Sequence, residues 1–280
     1  MVLVGPALVL YASFVVAPIT LAIYYSLTDW NGVRPSIELV GAANYVEALG
    51  DPEVVRAFIV TGVIAIAATV TLNVAAIPLA VLLASDDRVT RVYRSFIFFP
   101  LVLAPIVVGF IWQSFLNTYG LLNGIITGLG FDQINFLGDQ VLAVGSIIAV
   151  TFWQTIGFTT ILYLAALKTI PDEFYEAARI DGANGFAQFR YLTVPLLAPA
   201  VTVNVVLLLI IFMRLYDYVV AMTAGGPAGA TQTVAFLIIQ EAFVNNRYGY
   251  GSAIAILLLV VVTLFSLLLF VRLRQREGAT

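Results

Sequence analysis

PDEFYEAARIDGANGFAQFRYLTVPLLAP, residues 171–199, is a polar, amphipathic stretch set between two very apolar ones. Pro171 suits the first position of a helix, where its missing N–H costs nothing. Asp172 and Glu173 then fall in the first turn, where the helix dipole favours negative charge. Phe174, Ala177, Ala178 and Asp181 follow at helical spacing, and the two alanines leave a face that another protein could approach closely. Asp181-Gly182 is a stop signal, because glycine accepts the left-handed conformation that ends helices. Asn184-Gly185 is turn chemistry, and Phe186, Phe189 and Arg190 open a second short helix. The stretch predicts a short cytoplasmic helix, a glycine-pinned turn and a helix that feeds back into a membrane.

Composition supplies the membrane. Of 280 residues, 61% are hydrophobic and 10% charged, and the mean hydropathy is +1.02. A soluble domain carries about 25% charged residues. The net charge of −3 matters less than where the charges lie. Cysteine is absent, which removes disulfides and thiolate chemistry. Histidine is absent too, and with it the commonest metal ligand and general base. An enzyme acting alone near neutral pH would have carboxylates, tyrosines and Lys168, the single lysine.

A membrane span needs about 20 apolar residues. Six candidates cover residues 2–27, 57–84, 96–116, 141–167, 192–222 and 253–271. The first has no basic leader and is longer than a signal-peptide core, so it reads as a retained span. The chain opens directly in apolar sequence, which leaves room for a preceding cytoplasmic segment. No internal repeat or linker divides the chain, so the expectation is all-α and one domain over residues 1–280. Basic residues set the orientation. Arg88, Arg91 and Arg94, then Lys168, Arg179 and Arg190, then Arg272, Arg274 and Arg276 are nine of the thirteen, and all lie on one side. That side is cytoplasmic, and holds both termini and the loop at 169–190. The opposite loops, at 29–56, 117–140 and 223–251, carry Asp29, Glu38, Glu47, Asp51, Glu53, Asp132, Asp139 and Glu241, most of which a solvated face explains.

Residues 171–199 also carry a family likeness. Glu176-Ala177-Ala178, Asp181-Gly182-Ala183 and Leu192-Thr193-Val194-Pro195 resemble the EAA loop of inner-membrane permeases of binding-protein-dependent ABC importers. In that family the loop is a coupling helix that docks on an ATPase subunit. The resemblance implies that Glu176, Ala177, Ala178, Asp181, Gly182, Ala183, Phe186 and Pro195 couple to such a partner, and it spans nearly the whole chain. Tyr24-Tyr25-Ser26-Leu27-Thr28-Asp29-Trp30, Val40-Gly41-Ala42-Ala43-Asn44-Tyr45, Phe99-Pro100 and Tyr119-Gly120-Leu121-Leu122-Asn123 match other family segments. Thr223-Ala224-Gly225-Gly226-Pro227 is similar to an element typical of one of the two permeases in carbohydrate uptake, the first subunit of the maltose and glycerol-3-phosphate systems. It implies a place for Gly225, Gly226 and Pro227 beneath the docked binding protein; the plainer reading is a loop. Arg214 departs from the family pattern.

The likeness implies a six-span permease with several partners. They are a second homologous permease, two ATP-binding subunits that hold ATP and Mg, an extracytoplasmic solute-binding protein, the lipid bilayer and a sugar substrate; no nucleic acid is implied. The expected location is a bacterial or archaeal cytoplasmic membrane. The chain itself has no G-x-x-x-x-G-K-[ST], so ATP belongs to a partner and the chain is not by itself an enzyme.

Thr151, Gln154, Thr155 and Phe158 fall on one helical face of the fourth span. Hydroxyls, an amide and a ring on one stripe suit a sugar, and in the maltose-type permease the matching stretch lines the substrate site. Helix–helix hydrogen bonding is the alternative. In the fifth span Asn204, Ile211 and Phe212 could face the same cavity, with Asn204 open between lining and packing. Arg214 and Asp217, three residues apart, could pair across one turn, as a cavity wall or gate or as a structural pair near the interface. Asn73, Gln113 and Gln154 lie in spans without an evident partner, which points to a second subunit. A rival reading is an ion-coupled secondary transporter that uses Asp217, but its inverted repeats and matched broken helices are not found. A membrane enzyme is a weaker third reading.

Overall fold

The computed structural model describes residues 4–277, and among them the regular structure is helical, with one isolated antiparallel bridge between Thr28 and Leu39. In chain order the helices are α1 (Val4–Ser26), α2 (Ala43–Gly50), α3 (Pro52–Leu82), α4 (Arg88–Phe98), α5 (Pro105–Leu116), α6 (Leu121–Gly128) and α7 (Gln140–Leu167). They continue as α8 (Asp172–Ile180), α9 (Gly185–Leu196), α10 (Ala198–Met213), α11 (Asp217–Met222), α12 (Val234–Val244) and α13 (Tyr248–Glu277). Among the described residues, α1, α3, α7 and α13 contain stretches long and apolar enough to cross a membrane. The number rises to six if two bent pairs each count as one span.

The stretches expected as the third and fifth spans are bent. Residues 96–116 do not form one rod: Arg88–Val102 and Pro105–Gly128 meet at 97°. Pro105 has no N–H to extend the helical ladder, and a proline disfavours the α region for the residue before it. Ala104 accordingly sits at φ −64°, ψ 133°. Residues 192–222 are interrupted twice. Gly185–Leu196 meets Ala198–Met213 at 65°, just before Pro199, and the helix stops again at Arg214 before α11 begins at Asp217. The second stop has no proline or glycine, so nothing local announces it. The loops expected at 29–56, 117–140 and 223–251 hold helices of their own, α2, α6 and α12.

The chain falls into two compact units, residues 1–61 with 232–264 and residues 62–231 with 265–280. In the first, the end of α1 is tied down by polar contacts. Asn44 Nδ2 donates to the carbonyls of Ser26 (2.9 Å) and Thr28 (2.8 Å), and Ser26 Oγ shares a hydrogen bond with Tyr45 Oη at 2.6 Å. Trp30 stacks on Tyr25, with ring centres 4.5 Å apart. Gly249 lets α13 reach this knot: a Cβ there would lie 2.1 Å from the Thr28 carbonyl oxygen. Ser26 is the only buried residue of α1. Gln232 donates to Glu53 (2.8 Å), the Val234 N–H to Thr61 Oγ1 (2.9 Å), and Tyr250 to Asp51 (2.9 Å).

In the second unit α7 is the central element. It buries Ala143, Ile147, Val150, Thr151, Gln154, Thr159, Thr160 and Tyr163. Ala76, Ala80 and Leu83 of α3 and its end pack with Tyr163, Leu164 and Leu197. Small residues allow the approach, as they do where lipid is as apolar as the protein and packing must drive association. Gly157 of α7 is one such point: a Cβ there would fall 2.4 Å from the Ile97 carbonyl oxygen of α4. Asn73 and Tyr163 hydrogen-bond between α3 and α7, and Asn73 Nδ2 also donates to Thr69 O at 2.6 Å. Asn73 therefore has its partners inside this chain, contrary to the expectation from sequence.

Candidate functional site

The 169–190 loop folds from local signals. Pro171 takes the cap position of α8, with φ −63° and ψ 140°, one residue earlier than expected, and Asp172 and Glu173 fill the first turn. Gly182 at φ +80° ends the helix. Its N–H reaches Arg179 O (3.1 Å) while the Ala183 N–H reaches Ala178 O (2.9 Å). This is the paired bonding of a Schellman cap. Asn184 then caps α9 by accepting from the Ala187 N–H at 2.9 Å. Two contacts fold α8 onto α9: Gln188 Nε2 donates to Ala183 O (2.9 Å), and Tyr175 Oη shares a hydrogen bond with Thr193 Oγ1 at 3.2 Å.

The outer face of this elbow is apolar and uncovered. Ile180 is 86% exposed and Phe186 75%, with Phe174 also exposed. Glu176, Ala177, Asp181 and Pro195 are exposed, and Ala178 and Ala183 half-buried. Arg179 turns back to Tyr175 O (3.2 Å), and no ion pair joins it to Glu176 among the described residues. At the root of the elbow a cavity of about 640 Å³ is lined by Asp86, Lys168, Asp172, Tyr175 and Thr193, among others. Asp86 pairs with Arg94 (3.3 Å) and Lys168 (3.7 Å), and Arg94 also donates to Leu83 O and Ser85 O. Asp87 caps α4 through the Thr90 N–H (2.7 Å). The Ser85 hydroxyl, with further help from Thr90, holds its carboxyl down at about 2.

The fourth-span stripe divides. Thr151 is buried and returns its hydroxyl to Ile147 O at 2.5 Å. Gln154 is 3% exposed, donates from Nε2 to Leu103 O (2.7 Å) and accepts at Oε1 from the Tyr218 hydroxyl (2.5 Å). Thr155 and Phe158 are half-buried. Gln154, like Asn73, finds its partners within the chain. On α10, Phe212 is buried and Ile211 exposed. Asn204 is 1% exposed; it lies by the Tyr163 hydroxyl, yet neither amide atom makes a hydrogen bond of ordinary geometry.

Arg214 and Asp217 are both exposed, on either side of the break between α10 and α11. No salt bridge joins them among the described residues, because the interrupted helix does not place them one turn apart. The Thr223-to-Thr231 segment closes on itself. Thr223 and Thr231 hydroxyls meet at 2.7 Å, and Thr231 Oγ1 donates to Gly226 O at 2.7 Å. Gly225 at φ +83° is buried, while Gly226 and Pro227 are half-buried. Beside it a cavity of about 510 Å³ is lined by Gln113, Asn117, Thr118, Asn135 and Thr223, among others.

The sequence profile of the family described as binding-protein-dependent transport system inner membrane component matches residues 76–277, which include α8, its cap and both broken spans. This chain belongs to that family. It is a multi-pass, all-α component of a binding-protein-dependent transport system. Among relatives, it is 33% identical over 288 residues to the diacetylchitobiose uptake system permease protein NgcF of Streptomyces coelicolor, covering 98% of this chain and 82% of that one. It is 32% identical over 263 residues to the trehalose/maltose transport system permease protein MalF of Thermococcus litoralis, covering 94% and 89%. A crystal structure of a bacterial alginate ABC transporter contains a chain with the same fold (TM-score 0.85, 19% identity, 99% of this chain and 94% of that one).

Two features of this permease are not foreshadowed by its sequence. Leu103 O and Tyr218 converge on Gln154 from 51 and 64 residues away. Pro105 signals the first break, but only the folded chain shows which side chain serves the carbonyl left there. The Tyr175–Thr193 contact is equally silent, since each residue reads locally as part of its own helix.

Proposed function

We propose that this permease is one half of the translocation pathway of an ATP-driven saccharide importer. The observation that carries the reading is the α8–α9 elbow: a helix closed by a Schellman cap, with Phe174, Ile180 and Phe186 uncovered, in a family that works with partner proteins. Relatives named for diacetylchitobiose and trehalose/maltose transport support a sugar as cargo. A second, homologous permease completes the pathway. Two ATP-binding subunits carry ATP and Mg, and Glu176, Ala177, Ala178, Asp181, Gly182, Ala183, Phe186 and Pro195 form the surface that one of them grips. A solute-binding protein delivers cargo near Gly225, Gly226 and Pro227. Thr155, Phe158, Ile211, Arg214 and Asp217 face the pathway, while Thr151, Gln154, Asn204 and Phe212 shape it from behind. Both termini and the elbow lie on the cytoplasmic side, where Arg and Lys accumulate.

The energetics are those of a two-state machine. ATP binding supplies differential affinity for one arrangement of the subunits, the elbows carry the displacement, and hydrolysis resets it. The test is reconstitution of the whole importer in proteoliposomes with its binding protein and a panel of sugars. The expected result is ATP hydrolysis stimulated by one class of saccharide together with its uptake. Sugar uptake by this polypeptide alone, without ATP or partners, overturns the reading.

A further inference from the structure

We infer that Gln154 is a latch that ties both broken spans to α7 and thereby sets how readily the permease leaves the arrangement described here. This rests on the importer reading above and assigns a positioning role, with no contact to cargo. The geometry begins at Leu103. The regular structure of the first limb ends at Val102, and Pro105 has no N–H to offer. Val107, whose N–H would reach Leu103 O in a continuous helix, turns to Ala104 O instead (3.0 Å), as does Val108 (3.1 Å). The Leu103 carbonyl is therefore left to a side chain, and Gln154 Nε2 reaches it at 2.7 Å. Backbone freed inside a membrane protein must be satisfied by such a neighbour.

The other end of the same amide holds the second break. Tyr218, 6% exposed, is the second residue of α11, and its hydroxyl donates to Gln154 Oε1 at 2.5 Å. α5 and α11 are themselves locked together, because Gly109 admits Ala221 at a distance no Cβ would tolerate. The α5–α11 pair is thus hydrogen-bonded to the unbroken α7 through one side chain, beside the edge-on packing of Trp112 on Trp153 (ring centres 5.5 Å apart). Any movement of that pair against α7 parts two buried hydrogen bonds at once, and buried polar groups left unpaired are costly. The latch favours the resting arrangement, and its removal shifts the two-state balance toward the activated one.

The test uses the assembled importer carrying Tyr218→Phe, which removes one hydroxyl, or Gln154→Met, which keeps length and loses both bonds. The expected result is basal ATP hydrolysis, without binding protein, raised roughly two- to tenfold in Tyr218→Phe. Sugar preference should not change, and the double variant should be no more active than Gln154→Met alone, because both changes cut the same link. An unchanged ratio of basal to stimulated hydrolysis in both variants overturns the latch, as does a changed sugar preference, which would make Gln154 a cargo contact. A second readout needs neither ATP nor sugar: in the full chain in detergent, Gln154→Met should speed amide hydrogen exchange over residues 103–108 and 217–222. No increase in either segment overturns the latch even where the importer reading stands, and an increase in Gln154→Met, found together with a wild-type complex that no sugar stimulates, leaves the latch standing where that reading fails.

Discussion

Gly109 and Ala221 meet where only glycine fits: a Cβ on Gly109 would lie 2.5 Å from the Ala221 methyl carbon. The contact explains how a six-residue helix, α11, keeps its place although the helix is interrupted at Arg214 just before it. Gly109→Ala should push α5 and α11 apart and cost about 1–3 kcal/mol, as overpacking does. Thermal unfolding of the detergent-purified subunit measures it. Ala221→Gly should restore much of the loss in the double variant; a double variant no better than Gly109→Ala would mean that the strain lies elsewhere.

Gly182 tests the elbow by backbone conformation alone. A Cβ there meets nothing within 4 Å, yet φ is +80°. Gly182→Val therefore pays only for the left-handed backbone, about 1–2 kcal/mol, while Asn, which tolerates that region, is nearly neutral. The Val variant should insert in the membrane normally and co-purify poorly with the ATP-binding subunit, or retain it with less uptake per ATP consumed. Full retention with wild-type uptake would remove the cap from the coupling mechanism.

Phe186 and Ile180 separate partner binding from folding. Both are largely exposed, so Phe186→Ser and Ile180→Ser should change subunit stability by no more than about 0.5 kcal/mol. Each should nevertheless weaken co-purification with the ATP-binding subunit, because a desolvated aromatic or aliphatic anchor carries much of an interface. Unaltered co-purification in the double variant would move the docking surface off this elbow.

Asp87 gives a pH dependence of known sign. Its carboxyl sits near 2 against an ordinary 3.8, with the Ser85 hydrogen bond the first cause. A depressed carboxyl stabilises the fold above the unfolded value and loses that contribution as pH falls through the folded one. Unfolding of the wild type should therefore become easier between pH 4 and about 2. Asp87→Asn keeps a good cap but cannot titrate, so the difference between the two proteins should vanish at the acid end. A constant difference across that range would show that charge at this cap is immaterial.

The elbow is legible in sequence because each of its signals acts within a few residues. Asp172 and Glu173, Gly182 and Asn184 need no distant partner to do their work. The long runs of apolar residues likewise announce α3, α7 and α13, although α3 begins earlier and α13 runs past the expected span at both ends. The breaks divide by cause. Pro105 and Pro199 are visible punctuation, although apolar composition alone favours a continuous span across each. The stop at Arg214 is not visible, because its residues are ordinary helix formers and tertiary packing of α11 against α5 decides it. Polar side chains inside the spans read as unpaired for the same reason: the partners of Asn73 and Gln154 lie on other helices, and only the fold brings Tyr163, Leu103 and Tyr218 to them.

The knot at the end of α1 has a mechanical consequence. Tyr25, Ser26 and Thr28 are held, and from Val4 to Tyr25 no residue is buried within the chain. A helix of 23 residues is roughly 34 Å long. Pinned at one end, it is a rod on a pivot: a swing of about 10° carries its far end roughly 6 Å, from that length. The angle of the rod belongs to whatever surrounds it, lipid or protein, and a small torque at the pivot is magnified toward Val4 where a packed core would damp it.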